Sequence, residues 1–344
     1  MPMPDQIQTQ VSLASRTTLG VGGVAEYFVK ARTLPELRAF VHWAKSEKHP
    51  LFILGGGSNV LVSEEGIRGL VVHPAFSAVT YKDIESDVYV TVGAGVVLDE
   101  FVETLVAQGL WGLENLSGIP GTVGGVPVQN VGAYGVEAKD IIVAVEVYDP
   151  ITDSVQTLSN SECAFTYRDS YFKREGKHLI ITAVTFRVSR IATPKLAYKD
   201  LAARFSEEAA PSLQDVRDAV LLIRSKKFPD WRVVGTAGSF FKNPIIPAEE
   251  YEKLRATYPE LPGFPTDDGR VKVSLGWILD HVCNLRGYTE ESVGLYSEQA
   301  LVLICAHGTS PNDVISFSEK IIARVYEATG IVIEREVTIV KNNS

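Results

Sequence analysis

The sequence predicts an α+β fold in two or three domains, from three observations. Period-two alternation, the mark of half-buried strands, recurs at Val88, Val90 and Val92 and again at Ile141, Val143, Val145 and Val147. Stripes of helical period stand between such runs, at Leu37, Phe40, Val41 and Ala44 and at Val216, Ala219, Val220 and Ile223. Composition shifts around residues 191–199, where Pro194 precedes LAYKDL, which sets a domain boundary near 192/193 in this 344-residue chain.

Apolar residues make up 45% and charged residues 22%, ordinary for a globular protein. The formal net charge of -9 leaves no basic surface for nucleic acid, although a few convergent lysines and arginines could still hold a small anion. Cys163, Cys283 and Cys305 lie far apart without CxxC spacing, and the 6 histidines show no HxxxH or HxH pattern. That argues against a disulfide framework or a metal site and for a reducing compartment. MPMPDQIQTQ lacks the regions of a signal peptide, and no apolar run approaches bilayer-spanning length. A soluble, cytoplasmic chain with no nucleic-acid and no membrane partner is expected.

In chain order, a polar tail precedes residues 17–30, a glycine-containing turn leading into a strand. Thr33 and Glu36 match a capping box with Pro35 in the first turn, opening a helix. Residues 51–54 read as a strand, 55–59 as a glycine loop and 60–62 as another strand. A dinucleotide fingerprint needs a helix there and GxGxxG spacing; both are missing, so that fold is rejected. A helix follows at about 98–108, closed by Gly109. Residues 154–158 return as a hairpin partner of 141–147. Ser159 and Glu162 predict a cap on a short helix, and 179–188 a long strand. Pro211 opens a helix to about 227. Helices are expected at 248–257 and 274–283, a buried strand at 300–306, and a helix from Ser310-Pro311 to Gly330. The chain ends on a strand over 331–340.

The chemistry gathers first on glycine. Residues 54–61 (LGGGSNVL) and 112–135 (GLENLSGIPGTVGGVPVQNVGAYG) form two loops whose missing Cβ atoms let backbone N–H groups approach an anion. Two such loops suggest a phosphorylated cofactor, against the plainer alternative of long surface turns. Neither holds His or Cys, so a flavin there would lack a covalent tether. In Tyr167-Arg168-Asp169-Ser170 the arginine is either a surface partner of Asp169 or, among aromatic residues, a bidentate clamp for a carboxylate. Ser239, after Gly238 in TAGSFFKNP, is a turn residue or a proton donor at a buried site. Period two places Glu334 and Glu336 on one face of the last strand, either solvated or, if buried, holding a general acid. Lys227 and Tyr198 could meet a diphosphate or a uracil.

Taken together, GGGSNVL, GLENLSGIPGTVGG, QNVGAYG, FTYRDSYFK, AGSFFKNP and SEQALVLI, in this order, resemble the UDP-N-acetylenolpyruvoylglucosamine reductases, flavoenzymes of peptidoglycan precursor synthesis. The resemblance runs from about residue 17 to 340, and LAYKDL resembles the type I subgroup. It implies an FAD-binding domain of the vanillyl-alcohol/cresol oxidase (PCMH) type over 1–192, with α+β subdomains at about 1–75 and 76–192. A smaller α/β substrate-binding domain would follow over 193–344. It implies non-covalent FAD held by Gly55, Gly56, Gly57, Ser58, Asn59, Gly118, Ile119, Pro120, Gly121, Thr122, Gly124 and Gly125, with NADPH as hydride donor. The substrate would be UDP-N-acetylglucosamine enolpyruvate, contacted by Tyr198, Lys227, Asn243 and Gln299. Arg168 would polarise its carboxylate, Ser239 donate the proton and Glu336 stabilise the enolate. The family's closing Glu-Val-Arg reads Glu336-Val337-Thr338 here, and residues 17–23 (TTLGVGG) depart from its Asn-Thr-Phe-Gly. A monomer is expected. The alternatives are an FAD-dependent oxidase of the same superfamily and a non-catalytic flavin-binding module.

Overall fold

The computed structural model describes residues 2–205 and 210–342. The chain divides into two units: Met1–Val11, Ala25–Gly57 and Ile67–Ser225 form the first, and Ser12–Val24, Ser58–Gly66 and Lys226–Ser344 the second. By packing, residues 193–225 therefore belong with the segment before them, because helix Leu213–Lys227 lays Leu213 and Val216 into the first unit's core. Short pieces around residues 12–24 and 58–66 join the second unit, since Leu19, Val21 and Leu61 pack in its core.

The first unit holds two sheets. One orders strands Gln8–Ser12, Val24–Ala31, Ile67–Pro74 and Leu51–Ile53, the last three paired in parallel. The expected polar tail thus supplies an edge strand, whose exposed polar residues suit an edge. Helix Leu34–Ser46 starts as its residues dictate: Thr33 Oγ1 accepts the Glu36 N–H at 3.3 Å, and the Glu36 carboxylate accepts the Arg32 N–H at 2.8 Å. The other sheet is antiparallel, in the order Ser154–Ser159, Ile142–Asp149, Ile180–Ser189, Asp87–Gly93 and Val79–Ile84. Val88, Val90 and Val92 face its core, as alternation requires. Over residues 141–147 the alternation is broken: Ile142 is buried and Val143 is not, because a bulge between Ile142 and Ala144 shifts the phase. Helix Leu98–Ala107 covers this core and ends before Gly109, at φ 71°.

Ser159 and Glu162 make the expected reciprocal bonds, but a turn follows rather than a helix. Ala164 at φ 43° and Arg168 at φ 55° take the chain into left-handed backbone, which a right-handed helix cannot propagate through.

In the second unit a sheet orders Gly235–Ser239, Gln299–Cys305, Val293–Tyr296 and Thr289–Glu290, against which helix Pro311–Thr329 packs. Helix Ala248–Thr257 stands where the sequence predicts it. The helix expected at 274–283 is one α-turn, Leu275–Trp277, continued by π-turns over Ile278–Val282. The predicted last strand is short. Only Thr338–Val340 forms a strand, paired in parallel with Val60–Val62, while Glu334 and Glu336 bond the Phe240–Lys242 backbone on either side of a single bridge at Arg335.

Candidate active site

Within the first unit the two glycine loops lie backbone to backbone. A Cβ on Gly56 would stand 2.5 Å from Gly121 Cα, one on Gly55 3.3 Å from Thr122 Oγ1, and one on Gly124 2.8 Å from the Ala94 Cβ. Gly55, Gly56, Gly121, Ile119 and Pro120 are half-buried, Gly57 and Thr122 buried. Several loop amides are already committed: Gly118 N–H donates to Asp99 at 2.6 Å, Gly124 to Ala94 O at 2.9 Å and Gly125 to Thr122 O at 2.9 Å. These three residues therefore shape the cradle rather than donate into it. Gly118, at φ 71°, also passes tight against helix Leu213–Lys227, where a Cβ would meet Leu221 Cδ2 at 2.9 Å and Arg224 Nε at 3.1 Å.

Asp99, Arg217, Arg224, Tyr134 and Asn115 are the network that sequence reasoning missed. Arg217, only 6% exposed, grips Asp99 through both oxygens at 2.6 and 3.2 Å. Burial raises the Asp99 carboxyl, but Arg217 and the Gly118 N–H outweigh it and hold the group below its ordinary value. Burial pushes the Tyr134 phenol up to about 12, and Arg224, hydrogen-bonded to it, is itself pushed down by burial. Asn115 is wholly buried, its amide donating to Tyr134 O at 2.7 Å and Lys195 O at 2.8 Å. One signal was available in the sequence: Arg217 and Arg224 are seven residues apart beside the apolar stripe, hence on one inward-facing side of their helix.

Arg168 sits at the tip of a two-residue turn closed by bonds between Thr166 and Asp169. Its left-handed φ aims the side chain along Gly132, where a Cβ would stand 3.5 Å from Nη1. The turn is clamped to the glycine-rich stretch: Ser170 Oγ donates to Val128 O at 2.6 Å and Asn130 Nδ2 to Thr166 O at 3.0 Å. Asp169 pairs its carboxylate with Arg174. Tyr198, exposed, packs edge-on against Tyr134 with ring centroids 5.3 Å apart.

In the second unit the segments that carry Ser239 and Glu336 are bonded to each other through their backbones. Gly238 at φ 73° breaks the pairing register between Thr236 and Ser239, leaving Ser239 half-buried at the strand end. The next residue, Phe240, accepts the Glu336 N–H on its carbonyl at 2.8 Å. Asn59 Nδ2 donates to Glu336 O at 3.2 Å, and Asn59 O accepts the Thr338 N–H at 3.1 Å, so the end of the first glycine loop holds the terminal segment. The Glu334 side chain is 73% exposed and pairs with Lys242 at 2.9 Å, while Glu336 is half-buried. Asn243 and Gln299 meet at one helical turn, Asn243 Oδ1 accepting the Leu275 N–H at 3.0 Å and Gln299 Oε1 lying 3.1 Å from where a Gly276 Cβ would be. Ser58 and Lys227 are half-buried, and Thr338 is exposed.

Family models match in chain order: an FAD binding domain over residues 25–158, and the C-terminal domain of UDP-N-acetylenolpyruvoylglucosamine reductase over 229–340. The UDP-N-acetylenolpyruvoylglucosamine reductase of Neisseria gonorrhoeae is 41% identical over 92% of both chains. That of Polynucleobacter asymbioticus is 36% identical over 98% of both. A crystal structure of the Thermus caldophilus reductase matches with a TM-score of 0.68 and 26% identity, covering 97% of this chain and 98% of its own. By sequence along its whole length and by fold, the chain belongs to the UDP-N-acetylenolpyruvoylglucosamine reductase family.

Proposed function

We propose that this chain reduces UDP-N-acetylglucosamine enolpyruvate to UDP-N-acetylmuramate, with NADPH as hydride donor and non-covalent FAD as mediator. The observation that carries this reading is the junction of Ser239's strand with the Glu336 segment through the Phe240 carbonyl, in a chain of that family. The paired glycine loops fit FAD, since their backbones meet where a side chain could not. Gly55, Gly56, Gly57, Ser58, Asn59, Ile119, Pro120, Gly121 and Thr122 would hold it, with Gly118, Gly124 and Gly125 giving the loop its shape. When bound, FAD accepts hydride from NADPH and passes it on.

The remaining chemistry belongs to side chains. Hydride added to the β-carbon of the enol ether drives electron density towards the substrate carboxylate. Arg168 pairs with that carboxylate, and a protonated Glu336 donates a hydrogen bond to the developing enolate. Ser239 delivers its hydroxyl proton to the α-carbon and is reprotonated from solvent, so one hydride and one proton saturate the double bond. Tyr198, Lys227, Asn243 and Gln299 contact the nucleotide sugar; with its oxygen committed to Leu275, Asn243 offers its amide N–H groups. In this reading residues 1–192 serve the cofactor and 193–344 the substrate, in a cytoplasmic monomer.

The test is anaerobic. NADPH should bleach the flavin of the purified protein, and UDP-N-acetylglucosamine enolpyruvate should restore its colour. Ser239→Ala should leave bleaching intact and slow the recovery. Recovery only on admitting oxygen would favour an oxidase, and protein without flavin would defeat the cofactor reading.

A further inference from the structure

Arg335 stands between the two carboxylates of the terminal segment, and its side chain is anchored away from both. Its Nε donates to Ser318 Oγ at 2.8 Å, and its Nη2 lies 3.5 Å from Glu319 Oε1, both on helix Pro311–Thr329. Ser318 is wholly buried, and its hydroxyl donates to Ile315 O at 2.7 Å, which orients a lone pair towards Arg335. Around Arg335 the backbone makes a single antiparallel bridge to Phe241: Lys242 N–H donates to Glu334 O at 2.9 Å and Glu336 N–H to Phe240 O at 2.8 Å. The bridge is a single pair, and the next ladder begins only at Thr338. A slip of one residue would turn Glu336 to the opposite face.

We propose that Arg335 is a positioning residue for Glu336: fastened to Ser318, it fixes the bridge that holds Glu336 beside the strand end carrying Ser239. This rests on the reading that Glu336 and Ser239 act in the reduction. Arginine suits the task because its planar Nε–H is directed along the stem, whereas a lysine ammonium at that reach is a point charge without a fixed direction.

The experiment uses the flavin-loaded enzyme and follows the two half-reactions separately by stopped flow. For Arg335→Met, bleaching by NADPH should stay within about twofold of wild type while anaerobic reoxidation by UDP-N-acetylglucosamine enolpyruvate slows by about tenfold or more, the scale of a misplaced catalytic group. Arg335→Lys should recover part of that loss. Ser318→Ala should slow reoxidation in the same direction, and the double variant should be no slower than Arg335→Met, because both changes cut one link. Should Arg335→Met fail to fold, Ser318→Ala carries the test alone. Wild-type reoxidation in Ser318→Ala and Arg335→Met would overturn the proposal, as would equal slowing of both half-reactions. Glu336→Gln separates the two failures. If it is slow while the Arg335 variants are fast, only the positioning role falls; if it reoxidises at the wild-type rate, the reading of Glu336 falls first.

Discussion

Gly56→Ala tests whether the two glycine loops form one cradle. An added Cβ would lie 2.5 Å from Gly121 Cα, 3.0 Å from Gly121 C and 3.1 Å from Thr122 N. Carbon atoms pack at about 3.5–4.0 Å, so about 1 Å of separation must come from backbone movement, since no flexible side chain stands in the way. Overpacking of this kind costs about 1–3 kcal/mol, which corresponds to a melting-temperature drop of about 1–4 °C for a chain of this size. The larger consequence is for the proposed cofactor site, where the phosphates of FAD would need both backbones at fixed spacing. Protein carrying Gly56→Ala should therefore purify folded by circular dichroism yet depleted of flavin, and added FAD should bind at least about tenfold more weakly, a change of about 1.4 kcal/mol. Gly125→Ala is the control: its Cβ would meet nothing within 4 Å and its φ lies outside the left-handed region. In the folded protein without FAD it should be neutral or slightly stabilising, by about 0.4–1 kcal/mol. Stoichiometric flavin and a wild-type melting temperature in Gly56→Ala would refute the steric argument.

Asp99→Asn keeps an oxygen for the Gly118 N–H but leaves the Arg217 guanidinium without its carboxylate. With Arg217 6% and Asp99 35% exposed, the loss in urea unfolding should be about 1–3 kcal/mol, below that of a fully buried pair. Because Asp99 is held below its ordinary value, its contribution is present above the carboxylate range and disappears as pH falls through the folded value; the Asp99→Asn protein should lack that component. Tyr148, wholly buried and donating to Asp153 at 2.9 Å, is pushed up to about 12 by burial and then by that bond. A raised phenol binds its proton more tightly when folded, so stability should be full below about pH 10 and decline towards about pH 12, and Tyr148→Phe should flatten part of that decline.

The parts of the fold legible in the sequence are those where a local rule suffices. Thr33, Pro35 and Glu36 start a helix through bonds spanning a few residues, and Gly109 and Gly330 end theirs by supplying left-handed backbone that neighbours cannot. Motif order made the two glycine loops, Arg168, Ser239 and Glu336 nameable as candidates. What stayed hidden depends on distant partners. Nothing near Val143 announces the bulge that turns it away from the core, and nothing near Ser159 shows that Ala164 will adopt φ 43° and stop a helix its cap had begun. Asp99 reads as an ordinary helix-start carboxylate until a helix more than a hundred residues later brings Arg217 to it.

The terminal segment shows both what pattern reaches and what it leaves out where a site is built. Ile331 and Ile333 are buried with Val332 and Glu334 exposed, so alternation begins as the sequence predicts. It runs on through Val337, buried, and Thr338, exposed, while the segment changes partner from an antiparallel bridge with Phe241 to a parallel pairing with Val60 within three residues. A chain changing partner must bend, and the bend falls at Glu336 and Val337. Side-chain direction there is set by the contacts on either side: Ser318 through Arg335, Phe240 through the Glu336 N–H and Asn59 through the Glu336 carbonyl. Those partners lie far apart in the chain, so no window around Glu336 could have shown them. The same arrangement restrains Glu336 through bonds to its backbone, which suits the role proposed for it.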